Sequence, residues 1–186
     1  MSRFEFCTSA LNGVYAIRRT VAEDHRGFFS RFFCAEEFAE IGLTAPIVQI
    51  NHSFTRKMGT VRGMHFQHPP HAETKIVSCL KGSVFDVAVD LRYGSKTFLK
   101  WHGEILTSEN HKSLFIPEGF AHGFQTLSAD CELIYLHTSA YDLHAEGALN
   151  AIDPQIAIEW PLAIAEMSNR DRSHPLIGSD YKGICI

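Results

Sequence analysis

Arg62, His65 and Gln67 crowd one short run, Gly59-Thr-Val-Arg-Gly-Met-His-Phe-Gln67, and Lys75 opens the β-rich segment that follows. His122 comes after a Pro-x-Gly turn, Tyr135 and His137 stand two apart on one face of a late strand, and Asp171 lies further downstream. An imidazole titrating near neutrality beside an ammonium, a guanidinium and a phenol is a toolkit for acid–base chemistry. Each residue also has a plain structural reading. A strand tyrosine is usually a core residue with its hydroxyl at the rim, a strand histidine is more often hydrogen-bonded than basic, and an Asp before Arg and Ser is usually solvated. Arg62 and His65 are three apart, which sends them to opposite faces of a regular strand. Gly63 between them can supply a bulge that turns both inward.

Eleven histidines invite a metal reading. The sequence has no HExxH and no histidine pair at i, i+4 on a helix. The tempting set is His65, His68, Glu73 and His122, because cupin-type jelly rolls carry His-x-His, a nearby Glu and a later His around one metal. Here the pair is His-x-x-His, whose rings diverge on a strand, and Glu73 lies beyond the Pro69-Pro70 break. The segment Pro117-Glu-Gly-Phe-Ala-His122 resembles the second cupin motif, so the jelly roll gains support while a metal loses it; no metal is expected. A G-x-S-x-G elbow, GxGxxG and GxxxxGK[ST] are all missing. Cys7, Cys34, Cys79, Cys131 and Cys185 are odd in number, scattered and without a C-x-x-C pair, as expected of reduced thiols in a cytosolic protein.

These residues must be positioned by a chain of 186 residues and 20.9 kDa, long enough for one domain with a core of its own. Hydrophobic residues at 45% and charged residues at 20% exclude a disordered chain. The net charge of −4 argues against a nucleic-acid scaffold, though not against a few cations holding one small phosphorylated ligand. The N-terminus lacks the apolar core of a signal peptide and no run reaches the ~18 apolar residues of a membrane span, so no membrane partner and a cytoplasmic location are expected.

In Val84–Arg92, Phe85, Val87, Val89 and Leu91 alternate with a face carrying Asp86, Asp90 and Arg92, the period of a half-buried strand. Similar β-rich runs occur at Val14–Arg19, Phe28–Phe33, Thr60–Phe66, Lys75–Leu80, Phe98–Leu106, Ser113–Ile116, Gly123–Leu127 and Glu132–Thr138, separated by turn signals. Ala35–Gly42 reads as a helix capped by Gly42, and a short helix is weakly signalled after Pro161. Strands without intervening helices predict an all-β sandwich or barrel in a single domain, residues 1–186.

Six segments then occur in a familiar order: His25–Phe29, Val48–Ser53, Gly59–Gln67, Phe85–Arg92, Ile116–Phe124, and Ile158–Pro161 followed by Ser168–Asp171. With them the sequence resembles the dTDP-4-dehydrorhamnose 3,5-epimerase family over nearly its whole length. The resemblance implies a cupin-type jelly roll that forms a homodimer through an exchanged N-terminal strand and needs no metal or organic cofactor. It implies His65 as general base, Asp171 as its orienting partner, Tyr135 as general acid and Lys75 as stabiliser of an enolate oxygen. Arg62 and His122 would line the same pocket. Arg26, Gln49 and Asn51 match positions holding the nucleotide and its diphosphate, and Phe29, Tyr141 and Arg170 complete the implied substrate-binding set. One departure stands out: Arg31 replaces a Glu common in the family's nucleotide-contacting region, exchanging a carboxylate acceptor for a five-donor guanidinium.

The implied chemistry suits these residues. A ketone at C4 of a 4-keto-6-deoxyhexose acidifies the protons on C3 and C5, and inversion needs a base, an enolate stabiliser and an acid on the opposite ring face. The expected function is therefore a cofactor-independent 3,5-epimerase of a nucleotide-linked 4-keto-6-deoxyhexose in deoxysugar biosynthesis, for surface polysaccharide or a glycosylated product. Alternatives are a single-centre epimerase or keto-isomerase on a dTDP- or CDP-linked sugar, a metal-dependent cupin oxygenase, and a non-catalytic sugar-nucleotide binder.

Overall fold

Short alternating runs punctuated by turns fold into two facing sheets in the computed structural model, which describes residues 2–186. In chain order the elements begin with β1 Phe4–Thr8, β2 Tyr15–Arg19, β3 Val21–Asp24, β4 Gly27–Ser30, α1 Ala35–Ala39, β5 Gln49–Thr55, β6 Thr60–Gln67 and β7 Lys75–Lys81. They continue with β8 Ser83–Asp90, β9 Trp101–Thr107, β10 Lys112–Ile116, β11 Phe120–Thr126, β12 Cys131–His137, β13 Glu146–Ala148, β14 Glu166–Met167 and α2 Asn169–Ser173. The first sheet runs β1-β2-β10-β7-β12-β5, the second runs β13-β6-β11-β8-β9 with β14 added parallel to β6, and β3-β4 form a separate hairpin. This is a jelly roll of the cupin type, in which non-sequential neighbours in both sheets place β6, β7, β11 and β12 around one interior.

Three apolar layers hold it together. Val77, Leu114 and Leu133 of the first sheet meet Val84, Ala88, Leu106 and Phe124 of the second in the interior. Outside the second sheet, Leu149, Ile156, Met167 and Ile184 of the C-terminal segment cover Met64, Val87, Val89 and Leu91. Outside the first sheet, α1 lays Phe38 over Phe4, Ile17, Ile76 and Phe115.

The outer C-terminal layer corrects one expectation. Strand β8 is buried on both faces rather than half-buried, because that segment packs over its odd-numbered side chains. Its even-numbered Asp86 therefore points into the interior, fully buried. Boundaries also move by more than a residue: the strand expected over Phe28–Phe33 ends at Ser30, the one expected from Phe98 begins at Trp101, the one expected from Gly123 begins at Phe120, and α1 stops at Ala39 with Gly42 at φ +92° beyond it. All five cysteines are free thiols, and burial pushes the Cys79 thiol up to about 12. No helix among the described residues is long and apolar enough to cross a membrane.

Candidate active site

The bulge anticipated at Gly63 is present. Strand β6 pairs with β11 so that His122 faces His65 and Phe124 faces Arg62, leaving an extra residue on β6. Gly63 adopts φ +115°, and a Cβ there would come within 2.7 Å of the Gly123 Cα and the His122 carbonyl oxygen. Only glycine permits this backbone-to-backbone approach. The bulge turns both Arg62 and His65 into one cavity of about 290 Å³, which Lys75, His122, Tyr135 and His137 also line.

His65 is gripped from the C-terminal side. Its Nε2 lies 2.7 Å from Asp171 Oδ1. A carboxylate only accepts, so Nε2 carries the proton and Nδ1 keeps the lone pair in the neutral ring. Asp171 is not solvated; it is buried in α2, where the N-cap Ser168 Oγ accepts from the Asp171 backbone N–H at 3.0 Å. Burial opposes the Asp171 charge, but its hydrogen bonds, led by His65, prevail and hold the carboxyl below its ordinary value.

On the facing sheet, Tyr135 Oη is 2.9 Å from Ser53 Oγ, and burial raises the phenol well above its usual range. Its ring lies edge-on to His122 at 6.0 Å and stacks on His137 at 6.2 Å. Lys75 Nζ sits 2.8 Å from Glu73 Oε1 and donates to the His65 carbonyl oxygen at 3.4 Å. Glu73 Oε2 is 3.1 Å from His137 Nδ1, and Asn51 Nδ2 is 3.3 Å from the opposite nitrogen of that ring. An amide donating to Nε2 leaves the Nδ1 proton for Glu73, so the contacts fix one tautomer. Burial of Glu73 works against its charge, yet the His137 hydrogen bond and Lys75 together keep its carboxyl below the ordinary value.

Two wider cavities open beside this centre. One, about 630 Å³, is lined by Gln49, Asn51, Tyr141 and Glu146; the other, about 700 Å³, by Arg56, Arg62, Ser168 and Arg170. Tyr141 Oη donates to Glu146 at 2.9 Å, and Arg170 pairs with the same carboxylate. The chain thus brings together His65, Lys75, Tyr135, Asp171, Arg62 and His122, with Gln49, Asn51, Tyr141 and Arg170 around them. Three residues of the sequence-based set do not line these cavities within one chain. Arg26 is exposed and paired with Asp24 at 2.6 Å, Phe29 is 73% exposed on the β3–β4 hairpin, and Arg31 holds Glu37 of α1 at 3.0 Å.

Sequence reasoning missed Ser53, Asp86 and Glu146, and set Glu73 aside. The Pro69-Pro70 break is a short turn that returns the chain directly to Lys75, which is why Glu73 ends beside it. Asp86 was concealed by the assumption of a solvated face. Ser53 sits in β5, whose Gln-Ile-Asn-His-Ser composition carries little strand propensity. Glu146 had no signal. The set His65, His68, Glu73 and His122 does not converge: Glu73 is committed to Lys75 and His137, His122 to Asp86, and His68 packs on Phe66.

A jelly roll with a carboxylate-oriented histidine on one sheet and a half-buried tyrosine and a buried lysine on the other has the layout of a cupin-fold acid–base enzyme. The family model for dTDP-4-dehydrorhamnose 3,5-epimerase matches residues 8–179. A protein of that name from Salmonella typhimurium is 43% identical over 171 residues, 91% of this chain and 93% of its own. A dTDP-4-dehydrorhamnose 3-epimerase from Streptomyces niveus is 37% identical over 90% of this chain and 81% of its own. The crystal structure of a dTDP-6-deoxy-D-glucose-3,5-epimerase from Legionella pneumophila, in complex with dTDP-4-keto-L-rhamnose, superposes with a TM-score of 0.89 at 39% identity, covering 93% of this chain and 92% of that one. The chain belongs to the dTDP-4-dehydrorhamnose 3,5-epimerase family, and it is an isomerase.

Proposed function

We propose that the enzyme inverts C3 and C5 of dTDP-4-dehydro-6-deoxyglucose, giving dTDP-4-dehydrorhamnose, without a metal or organic cofactor. The observation that carries this reading is the His65–Asp171 contact of 2.7 Å in a cavity that Tyr135 lines from the opposite sheet. His65 Nδ1 removes the proton α to the C4 ketone, and Asp171 stabilises the imidazolium that results. The substrate ketone takes up the electron pair, and the Lys75 ammonium steadies the enolate oxygen in a site where burial limits screening. Tyr135 returns a proton to the other ring face and is recharged through Ser53. Its raised pKa keeps the phenol protonated until that step. Arg62 and Arg170 supply cations for the diphosphate, and Gln49, Asn51 and Tyr141 line the adjoining space for the nucleotide.

The same reading makes the enzyme a cytoplasmic homodimer. Strand β5 is an open edge of the first sheet with Ile50 61% exposed, and the β3–β4 hairpin stands off both sheets with Phe28 61% exposed. Exchange of this N-terminal part between chains would cover both and carry Arg26, Phe29 and Arg31 toward a partner's cavity. Arg31 then bears on the nucleotide base, and titration with thymidine and cytidine diphosphates decides which is preferred. The Streptomyces niveus relative, a 3-epimerase, favours inversion at C3 alone as the second reading. Incubation with the thymidine-linked 4-keto sugar in deuterated water, followed by NMR, separates the two. Deuterium at both carbons with the L-rhamno product is expected, and exchange at C3 alone supports the second reading. Turnover should persist after exhaustive chelation; loss restored by a metal would overturn the cofactor-free mechanism.

A further inference from the structure

His174 caps α2 one helical turn beyond Asp171, with its backbone carbonyl held by the Asn150 amide at 2.9 Å. Its ring meets that of His65 edge to face, with centroids 6.4 Å apart at 82°. The His174 Nε2 is buried without a hydrogen-bond partner, a costly state for an imidazole nitrogen. One ring nitrogen of His65, one of His174 and a carboxylate oxygen of Asp171 all lie within 4.8 Å of one another. Two imidazoles and one carboxylate are the donor set of three-ligand zinc sites that leave a fourth position open.

We propose that His65, Asp171 and His174 form a site for a divalent transition cation, Zn²⁺ above all, and that occupancy switches the enzyme off. Such a cation takes no part in turnover. The site goes beyond the proposed reaction, and only its inhibitory effect rests on His65 being the base. In the working dyad the His65 Nε2–H donates to Asp171 and the Nδ1 lone pair is free. A cation bound at Nε2 occupies the lone pair there, so the single proton of the neutral ring resides on Nδ1. No proton is gained or lost, yet the base has lost the electron pair that attacks carbon. The buried Asp171 carboxylate contributes the negative charge a dication requires. The His65 side chain keeps 35% of its surface exposed, which gives the ion a path in from the cavity.

The test uses the full chain, freed of metal, with Zn²⁺ followed by calorimetry and Co²⁺ by visible absorption. Two variants, His174→Ala and the longer polar His174→Gln, are compared with wild type after thermal melts confirm that at least one of them folds. Wild type should bind one equivalent of Zn²⁺, and Co²⁺ should show the d–d bands of a low-coordinate site without a thiolate charge-transfer band. Affinity should fall at least ~10-fold in the variants, since even residues that only hydrogen-bond a metal's ligands are worth about 10–100-fold. Turnover of the variants in metal-free buffer should match wild type, with Zn²⁺ inhibiting them only at correspondingly higher concentration. Unchanged Zn²⁺ affinity in both variants, or a thiolate band placing the metal on cysteines, would overturn the site. His174-dependent binding that leaves wild-type turnover untouched would confirm the cation site while removing its inhibitory effect and His65 as the base.

Discussion

His122 Nε2 lies 2.8 Å from Asp86 Oδ1 between the two sheets, and Asp86 Oδ2 is buried beside it with no partner. The pair ties β11 to its neighbour β8 directly behind the Tyr135 ring. Asp86→Ala would leave the buried imidazole N–H without its acceptor, at a cost of about 1–3 kcal/mol. Chemical denaturation should show a lower midpoint with an unchanged slope, and Asp86→Asn, which keeps an acceptor, should lose less. An unaltered midpoint for the alanine variant would mean that the contact carries no stability.

His65→Ala removes the proposed base while leaving the cations around the diphosphate in place. Positioned acid–base catalysis is worth about 10²–10⁴-fold, so deuterium exchange at C3 and C5 should fall by that factor and nucleotide affinity should hardly move. Asp171→Asn keeps the shape but not the charge that stabilises an imidazolium, so kcat should drop more than KM rises. Near-normal exchange at either carbon in His65→Ala would assign that carbon to a different base.

Tyr135→Phe keeps the ring that packs between His122 and His137 and deletes only the hydroxyl. Proton abstraction should continue, seen as solvent exchange into recovered substrate, while completed inversion fails at one or both centres. Ser53→Ala should show a weaker form of the same phenotype. Product formation at the wild-type rate in Tyr135→Phe would exclude the phenol from the mechanism.

Glu73 bears on the acid limit of stability. Its folded carboxyl is held below the ordinary 4.5, so the unfolded chain binds its proton first as pH falls. The stabilisation is complete above 4.5 and is lost progressively as pH drops through that value toward the lower folded one. Melting temperature measured from neutrality to strong acid should therefore fall less steeply over this window in Glu73→Gln than in wild type. Parallel curves would show that its partners do not favour the charged form.

Much of the fold was legible because alternation and turn chemistry are local: β2, β6, β7, β8, β10, β11 and β12 all lie within or near apolar runs bounded by Gly, Pro or Asp. Strand β5 was not, since its Asn, His and Ser are recruited by pairing with β12 rather than by propensity. Arg62 with His65 was readable once Gly63 was taken as a bulge. The charge partners were harder. Asp86 and Glu73 gain their roles from His122 and His137, 36 and 64 positions away, and Glu146 from Arg170 across the sheet edge, and no spacing rule announces such contacts.

The dyad joins residues 106 positions apart, and its acidic half arrives with the outer layer that covers the second sheet. The inter-sheet core draws on residues 11 to 133 and needs nothing from that layer. A chain emerging from the ribosome can thus collapse its interior before the carboxylate exists, leaving the imidazole exposed and unoriented. Competence requires the outer layer as well as the core, which makes recovered turnover, rather than recovered β-structure, the signal that this layer has packed.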